Sequence, residues 1–240
     1  MSQISNPYRY DTGTIAADAS REARIGFIRK TYLHLAGAVG LFMLLEAWLL
    51  SLPAAKSIVS SMTGGWSWLI VLGLFMVVSW VAEKWARPRT SVAMQYAGLG
   101  LFIIAEAVIF LPLLWYAFGV YGENVIPTAA GITALVFCAL TLGVFTTGKD
   151  FAFLGPALTL SVFVALGVIV CSILFGFDLG WIFTSVMIVV AGGYVLYTTS
   201  NVLHHYQVGQ HVAASLALFA AVALLFWYIL RLLMILQSDD

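Results

Sequence analysis

Three ionisable side chains interrupt otherwise continuous apolar runs: Glu46 in LFMLLEAWLL, Glu106 in LGLFIIAEAVIFLP and Arg231 in LFWYILRLLMIL. A charge held inside hydrocarbon costs about 2.5–3.5 kcal/mol on insertion scales, so each is a candidate for function. Glu106 has Pro112 six residues downstream. That proline removes one helical hydrogen bond and frees the carbonyl of Val108, and a carboxyl beside a freed carbonyl suits a cation or proton. The alternative for Glu106 is a hydrogen bond to a neighbouring helix. Glu46 and Arg231 lie six and five residues from the ends of their runs, depths of about 9 Å and 8 Å at 1.5 Å per residue. Their shared depth predicts an ion pair latching the first membrane helix to the last. The alternative is an Arg231 that snorkels to the headgroups alone beside an uncharged Glu46.

The remaining polar residues point to no reaction. No GxSxG, HExxH, Walker-type loop or GxGxxG is present, so an enzyme, a catalytic residue and a cofactor are not expected. His204 and His205 are adjacent and His211 follows six residues later. Adjacent side chains do not face each other on a helix, so no metal site is expected and all three are placed in a solvated loop. Cys138 and Cys171 have no partner spacing and are expected as buried small side chains. A net formal charge of zero gives no reason to expect a nucleic-acid partner.

These groups need scaffolding, and composition identifies the solvent around it. Of 240 residues, 62% are hydrophobic and 9% charged, against about 25% charged in a typical soluble domain. The expected partner is a lipid bilayer. Apolar runs at about 32–52, 66–85, 94–115, 127–147, 154–174, 180–200 and 212–236 are each long enough to cross about 30 Å of hydrocarbon. They are continuous rather than alternating, which excludes a β-barrel and predicts an all-α, seven-helix membrane bundle over residues 32–236. Trp66, Trp68, Trp85, Trp115, Tyr116 and Trp181 fall near span ends and read as interfacial belts. Ala36 with Gly40, and Ala191, Gly192 and Gly193, allow close helix contacts.

Residues 1–31 are polar and mixed in charge, unlike a signal peptide. They are expected as a mobile tail up to Ser20 followed by a possible interfacial helix, REARIGFIRKTYLHLAG, with residues 237–240 as a short C-terminal tail. Arg9, Arg21, Arg24, Arg29, Lys30, Lys84, Arg87, Arg89 and Lys149 all fall on one side of the predicted bundle, against Lys56 and Arg231 on the other. The positive-inside bias therefore predicts a cytoplasmic N-terminus and an external C-terminus.

FIRKTYLHLAGAV at 27–39, TTGKDFAFLGPAL at 146–158, GGYVLYTTSNVLHHY at 192–206 and AASLALFAAVALLFWYILRLL at 213–233 resemble the Bax-inhibitor-type membrane protein family, including its bacterial branch of protease modulators. The resemblance runs from about residue 25 over nearly the whole chain. It implies a seven-helix bundle whose last helix is enclosed by the others. Some members are pH-sensitive calcium leak pathways with an aspartate on each of the last two helices; others restrain a membrane-anchored ATP-dependent protease. Here the positions resembling those aspartates are Thr198, in Tyr197-Thr198-Thr199, and Ala221. Both carboxylates are missing, so the usual pH gate is not expected. By the same resemblance Arg231 corresponds to the arginine ending the family's last helix.

Two functions are expected from this reading. The first is interaction with, and modulation of, a membrane-anchored ATP-dependent protease in a bacterial inner membrane. The second is a passive Ca2+ or proton pathway built on Glu106 with Tyr197 and Thr198 near the polar end of the sixth span. A structural relic of the family without transport is a third possibility.

Overall fold

In the computed structural model the described residues are 13–64, 66–87 and 90–238. Arg9 and Arg89, which entered the charge reading, and residues 239–240 of the expected C-terminal tail lie outside them. Seven long helices form the bundle: α1 (Arg21–Ser51), α3 (Ser67–Trp85), α4 (Val92–Tyr121), α5 (Val125–Thr147), α6 (Gly155–Phe175), α7 (Trp181–His204) and α8 (His211–Ser238). All seven are long and apolar enough to span a bilayer. A nine-residue helix, α2 (Ala55–Thr63), and a 3-10 turn at Ala152–Leu154 complete the described elements. This is an all-α polytopic membrane protein.

Local chemistry sets the helix ends. Ser20 and Ser91 cap α1 and α4 by accepting from the N–H groups of Ala23 and Met94, each at 3.3 Å. Gly148 and Gly176 stop α5 and α6 in the left-handed conformation, at φ of 60° and 70°. The predicted interfacial helix is not a separate element. From Arg21 the chain runs unbroken into the first span, because no glycine-rich or proline-bearing turn separates the two segments. The tail expectation also needs correcting for its described part: residues 13–20 are held in turns and a backbone bridge, described below.

α8 packs on α1, α4, α5 and α7, as expected of an enclosed last helix. α4 shares the interior with it, packing on α1, α2, α3, α5 and α8. α3 and α6 are peripheral, and most of their side chains face outward. The unanticipated α2 buries Ala55, Val59 and Met62 on one face while Lys56, Ser57, Ser60 and Ser61 do not contribute to the core. A single apolar stripe across nine residues is too short to announce a helix that forms only through its packing.

Candidate functional site

Glu106 sits halfway along α4, one helical turn from Phe102 and one from Phe110, so all three share a face. That face enters the wedge between α1 and α8. Phe102 meets Phe219 at 6.1 Å between ring centroids, and Phe110 meets Phe42 at 5.2 Å and Trp227 at 4.9 Å. Phe42 also meets Phe219 at 5.9 Å, which joins these rings into one aromatic cluster on the face that carries Glu106. Glu106 is 7% exposed, and its carboxyl makes no hydrogen bond to a described residue. Glu46 lies one turn beyond Phe42 on α1, 4% exposed, with both oxygens buried and unpartnered. The wedge thus holds two carboxyls on either side of a ring layer.

The expected latch is not formed. Neither Glu46 nor Arg231 has an ion-pair partner among the described residues, whereas Asp150 lies 2.9 Å from His205 Nε2. Arg231 instead donates from Nη2 to the carbonyl of Leu179, 2.8 Å away in the α6–α7 connection. Equal depth does not fix the direction a side chain takes around its helix. Glu46 is buried on the face of α1 that carries Phe42, whereas Arg231 points toward the α6–α7 turn and a recess beside α4.

Nor does the structure gather Glu106, Tyr197 and Thr198 into one site. α8 stands between α4 and α7, which pack against it from different sides. Thr198 turns its hydroxyl back to the carbonyls of Tyr194, at 2.7 Å, and Val195, at 3.3 Å. Tyr197 lies over Gly155 at the start of α6, where an added Cβ would come within 3.1 Å of the ring. Ala221 is buried on α8. Pro112 is accommodated within an unbroken α4. The two cysteines also depart from expectation. Cys138 and Cys171 are exposed on the bundle's outer surface, where a small polarizable side chain is as acceptable to lipid as to a core.

Two polar constellations at the N-terminal end of the bundle were not foreseen. Asp150, in the TTGKDFAFLGPAL stretch, accepts from Ala152 N–H at 2.9 Å and from the Ser200 hydroxyl at 3.0 Å, and its second oxygen lies 2.9 Å from His205 Nε2. Ser200 in turn accepts from Phe151 N–H at 2.8 Å. The Ala152 N–H, together with the His205 and Ser200 bonds, holds the Asp150 carboxyl below the usual carboxylate range against a smaller opposing effect of burial. These bonds lock the α5–α6 connection onto the end of α7. His204, placed in a loop by sequence, is the last residue of α7 and bonds back to Ser200; His211 opens α8; His205 alone of the three lies between helices. A second group is the hydroxyls of Tyr32 on α1, Thr141 on α5 and Thr199 on α7, which interact but complete no hydrogen bond. Only long-range packing brings these residues together, so spacing along the chain carried no signal for either group.

The same end holds the start of the chain. Ile15 pairs with Gln207 in an antiparallel bridge: Ala16 N–H donates to Tyr206 O at 2.8 Å and Val208 N–H to Thr14 O at 2.9 Å. Ala16 is fully buried there. Burial also pushes the Tyr206 phenol up to about 12, with the charge of Glu83 and the neighbouring Tyr197 acting in the same direction. The phenol is therefore neutral at physiological pH. Segment 14–16 is fastened to the α7–α8 loop.

Comparison with known proteins identifies relatives along nearly the whole chain. The family model described as "Inhibitor of apoptosis-promoting Bax1" covers residues 24–238. Bax inhibitor 1 of Schizosaccharomyces pombe is 27% identical over 241 residues, spanning 97% of this chain and 85% of that protein. Protein LIFEGUARD 2 of Arabidopsis thaliana is 30% identical over 228 residues, 91% of each chain. The Modulator of FtsH protease YccA of Escherichia coli K12 is 28% identical over 166 residues, 69% of this chain and 73% of its own length. With seven membrane-length helices and a family match from α1 to the end of α8, this chain belongs to the Bax inhibitor family of integral membrane proteins.

Proposed function

We propose that this chain is an inner-membrane modulator of a membrane-anchored ATP-dependent protease, with its N-terminus in the cytoplasm. The likeness to YccA supports the protease, and a relative named as an inner membrane protein, also 28% identical, supports the compartment. Arg21, Arg24, Arg29, Lys30, Lys84, Arg87 and Lys149 at the tail-bearing end support the orientation. The observation that carries the reading is the clamp of residues 14–16 on the α7–α8 loop. It makes the segment preceding α1 leave the bundle from a fixed point, beside the Asp150–His205 lock, where a partner domain can engage both. The test removes residues 1–20 and follows degradation of a membrane-protein substrate together with co-purification of the protease. Loss of both effects is expected, and unchanged values of both would refute the proposal.

A second reading, a passive proton or cation pathway, draws on the two unpartnered carboxyls in the α1–α4–α8 wedge. The ring layer of Phe42, Phe110 and Phe219 separates them, so conduction requires those rings to part. Proteoliposomes loaded with a pH or calcium indicator test it. Flux that disappears in Glu106→Gln favours a pathway, and an absence of flux from the unaltered protein rejects it.

A further inference from the structure

The failed latch leaves Arg231 with most of its hydrogen-bonding capacity unspent. A guanidinium carries five N–H donors in a planar fork, and the structure engages one nitrogen, with the Leu179 carbonyl. Asp178, next in the chain to Leu179, attracts the guanidinium electrostatically without reaching ion-pair distance. Beside Arg231, at the C-terminal ends of α4 and α8, lies a recess of about 250 Å³ lined by Leu113, Tyr116, Tyr121, Trp227, Met234 and Ser238 among others. Tyr116 and Tyr121 meet edge to face at 5.9 Å on one wall, and Tyr116 is half exposed to the bilayer-facing surface. A positive charge, aromatic rings with polar tips and apolar side chains therefore line one concavity at the end of two membrane helices.

We propose that this recess is a phospholipid site, with Arg231 gripping the phosphate and Leu113, Trp227 and Met234 receiving the first part of an acyl chain. The complementarity is specific in kind. A phosphodiester offers paired oxygens that a guanidinium fork meets bidentately, and tyrosine and tryptophan favour the depth of the glycerol and headgroup region. The recess, at about 250 Å³, is too small for a whole lipid, so the remaining chain stays in the leaflet. The occupant is a lipid rather than a free anion because most of the lining is apolar.

Native mass spectrometry of the full chain in mild detergent tests the site, with phosphatidylglycerol as probe. Diacylglycerol is the phosphate-free control and inorganic phosphate the free-ion competitor. Binding of phosphatidylglycerol should weaken at least tenfold in Arg231→Gln and by less in Arg231→Lys, which keeps the charge without the fork. Leu113→Trp keeps the Leu179 bond but fills the recess, and should weaken binding as strongly as Arg231→Gln. That second variant keeps the test decisive if Arg231→Gln fails to fold. Removing Asp239 and Asp240 should leave binding unchanged or tighter. The proposal is overturned if Arg231→Gln and Leu113→Trp bind like the unaltered protein, if diacylglycerol binds equally well, if inorganic phosphate displaces the lipid at equal concentration, or if removing the two terminal aspartates abolishes binding.

Discussion

Glu46 was visible in the sequence as a costly residue, but its surroundings were not. A hydrophobic run gives depth through the 1.5 Å rise; the azimuth around the helix depends on which neighbours pack against it. Hence the matched depths of Glu46 and Arg231 suggested a pair that the fold does not make. A buried polar group without a partner costs about 1–3 kcal/mol, so Glu46→Leu, which fills similar space without polar atoms, should raise stability by that order. Thermal unfolding in detergent measures it, and a lower midpoint would mean that the carboxyl has a partner in the folded protein. Asp150 presents the opposite case, a carboxylate with three partners. Because folding lowers its pKa, its contribution is complete above the unfolded value of about 3.9 and disappears as pH falls through the lower folded value. Hydrogen exchange at the Phe151 and Ala152 amides should therefore show protection that persists at neutral pH and fades below about pH 4. Asp150→Asn should reduce protection at neutral pH, by roughly 1 kcal/mol for this half-exposed network, and the difference from the unaltered protein should close as the pH falls below about 4.

At the scale of elements, helix existence was legible and helix contact was not. Small residues at 36 and 40 and at 191–193 drew attention by their spacing, yet among the described glycines the closest approach of another helix is at Gly98, between α4 and α3. A Cβ there would lie 2.6 Å from the carbonyl oxygen of Ala82 and 2.8 Å from the backbone nitrogen of Ala86. Both obstacles are main chain and cannot rotate away. Gly98→Ala should force the two helices apart at a cost of about 1–3 kcal/mol. Two residues along, Gly100 has nothing within 4 Å of the same position, so Gly100→Ala should stabilise by about 0.5–1 kcal/mol through helix propensity alone. Comparing the two melting midpoints isolates the crossing from the general effect of glycine in a helix. Equal shifts in the same direction would place the tight contact elsewhere. In the sequence these glycines are indistinguishable, both set in the apolar stretch AGLGLF; only the partner helix separates their roles.

For the whole molecule, the bilayer made seven spans readable, because its thickness imposes a length that composition alone can satisfy. It imposes nothing on the order in which helices surround one another, nor on how connections outside it fold. The clamp between residues 14–16 and the α7–α8 loop belongs to that second category: two short segments with no apolar period, about 190 residues apart, joined by backbone bonds. Its role can be separated from the role of the residues before it. Ala16 is fully buried, so Ala16→Asp inserts a carboxylate where none can be solvated and should release the segment, while α1 to α8 keep their own packing. Exchange at residues 13–20 should then rise with the melting midpoint of the bundle nearly unchanged. If the fixed exit point serves the protease, co-purification should fall in Ala16→Asp as far as it does when residues 1–12 are deleted, although every residue of the tail is still present. Retained binding in Ala16→Asp beside lost binding in the deletion would mean that the partner reads the tail's sequence and is indifferent to where it is tethered.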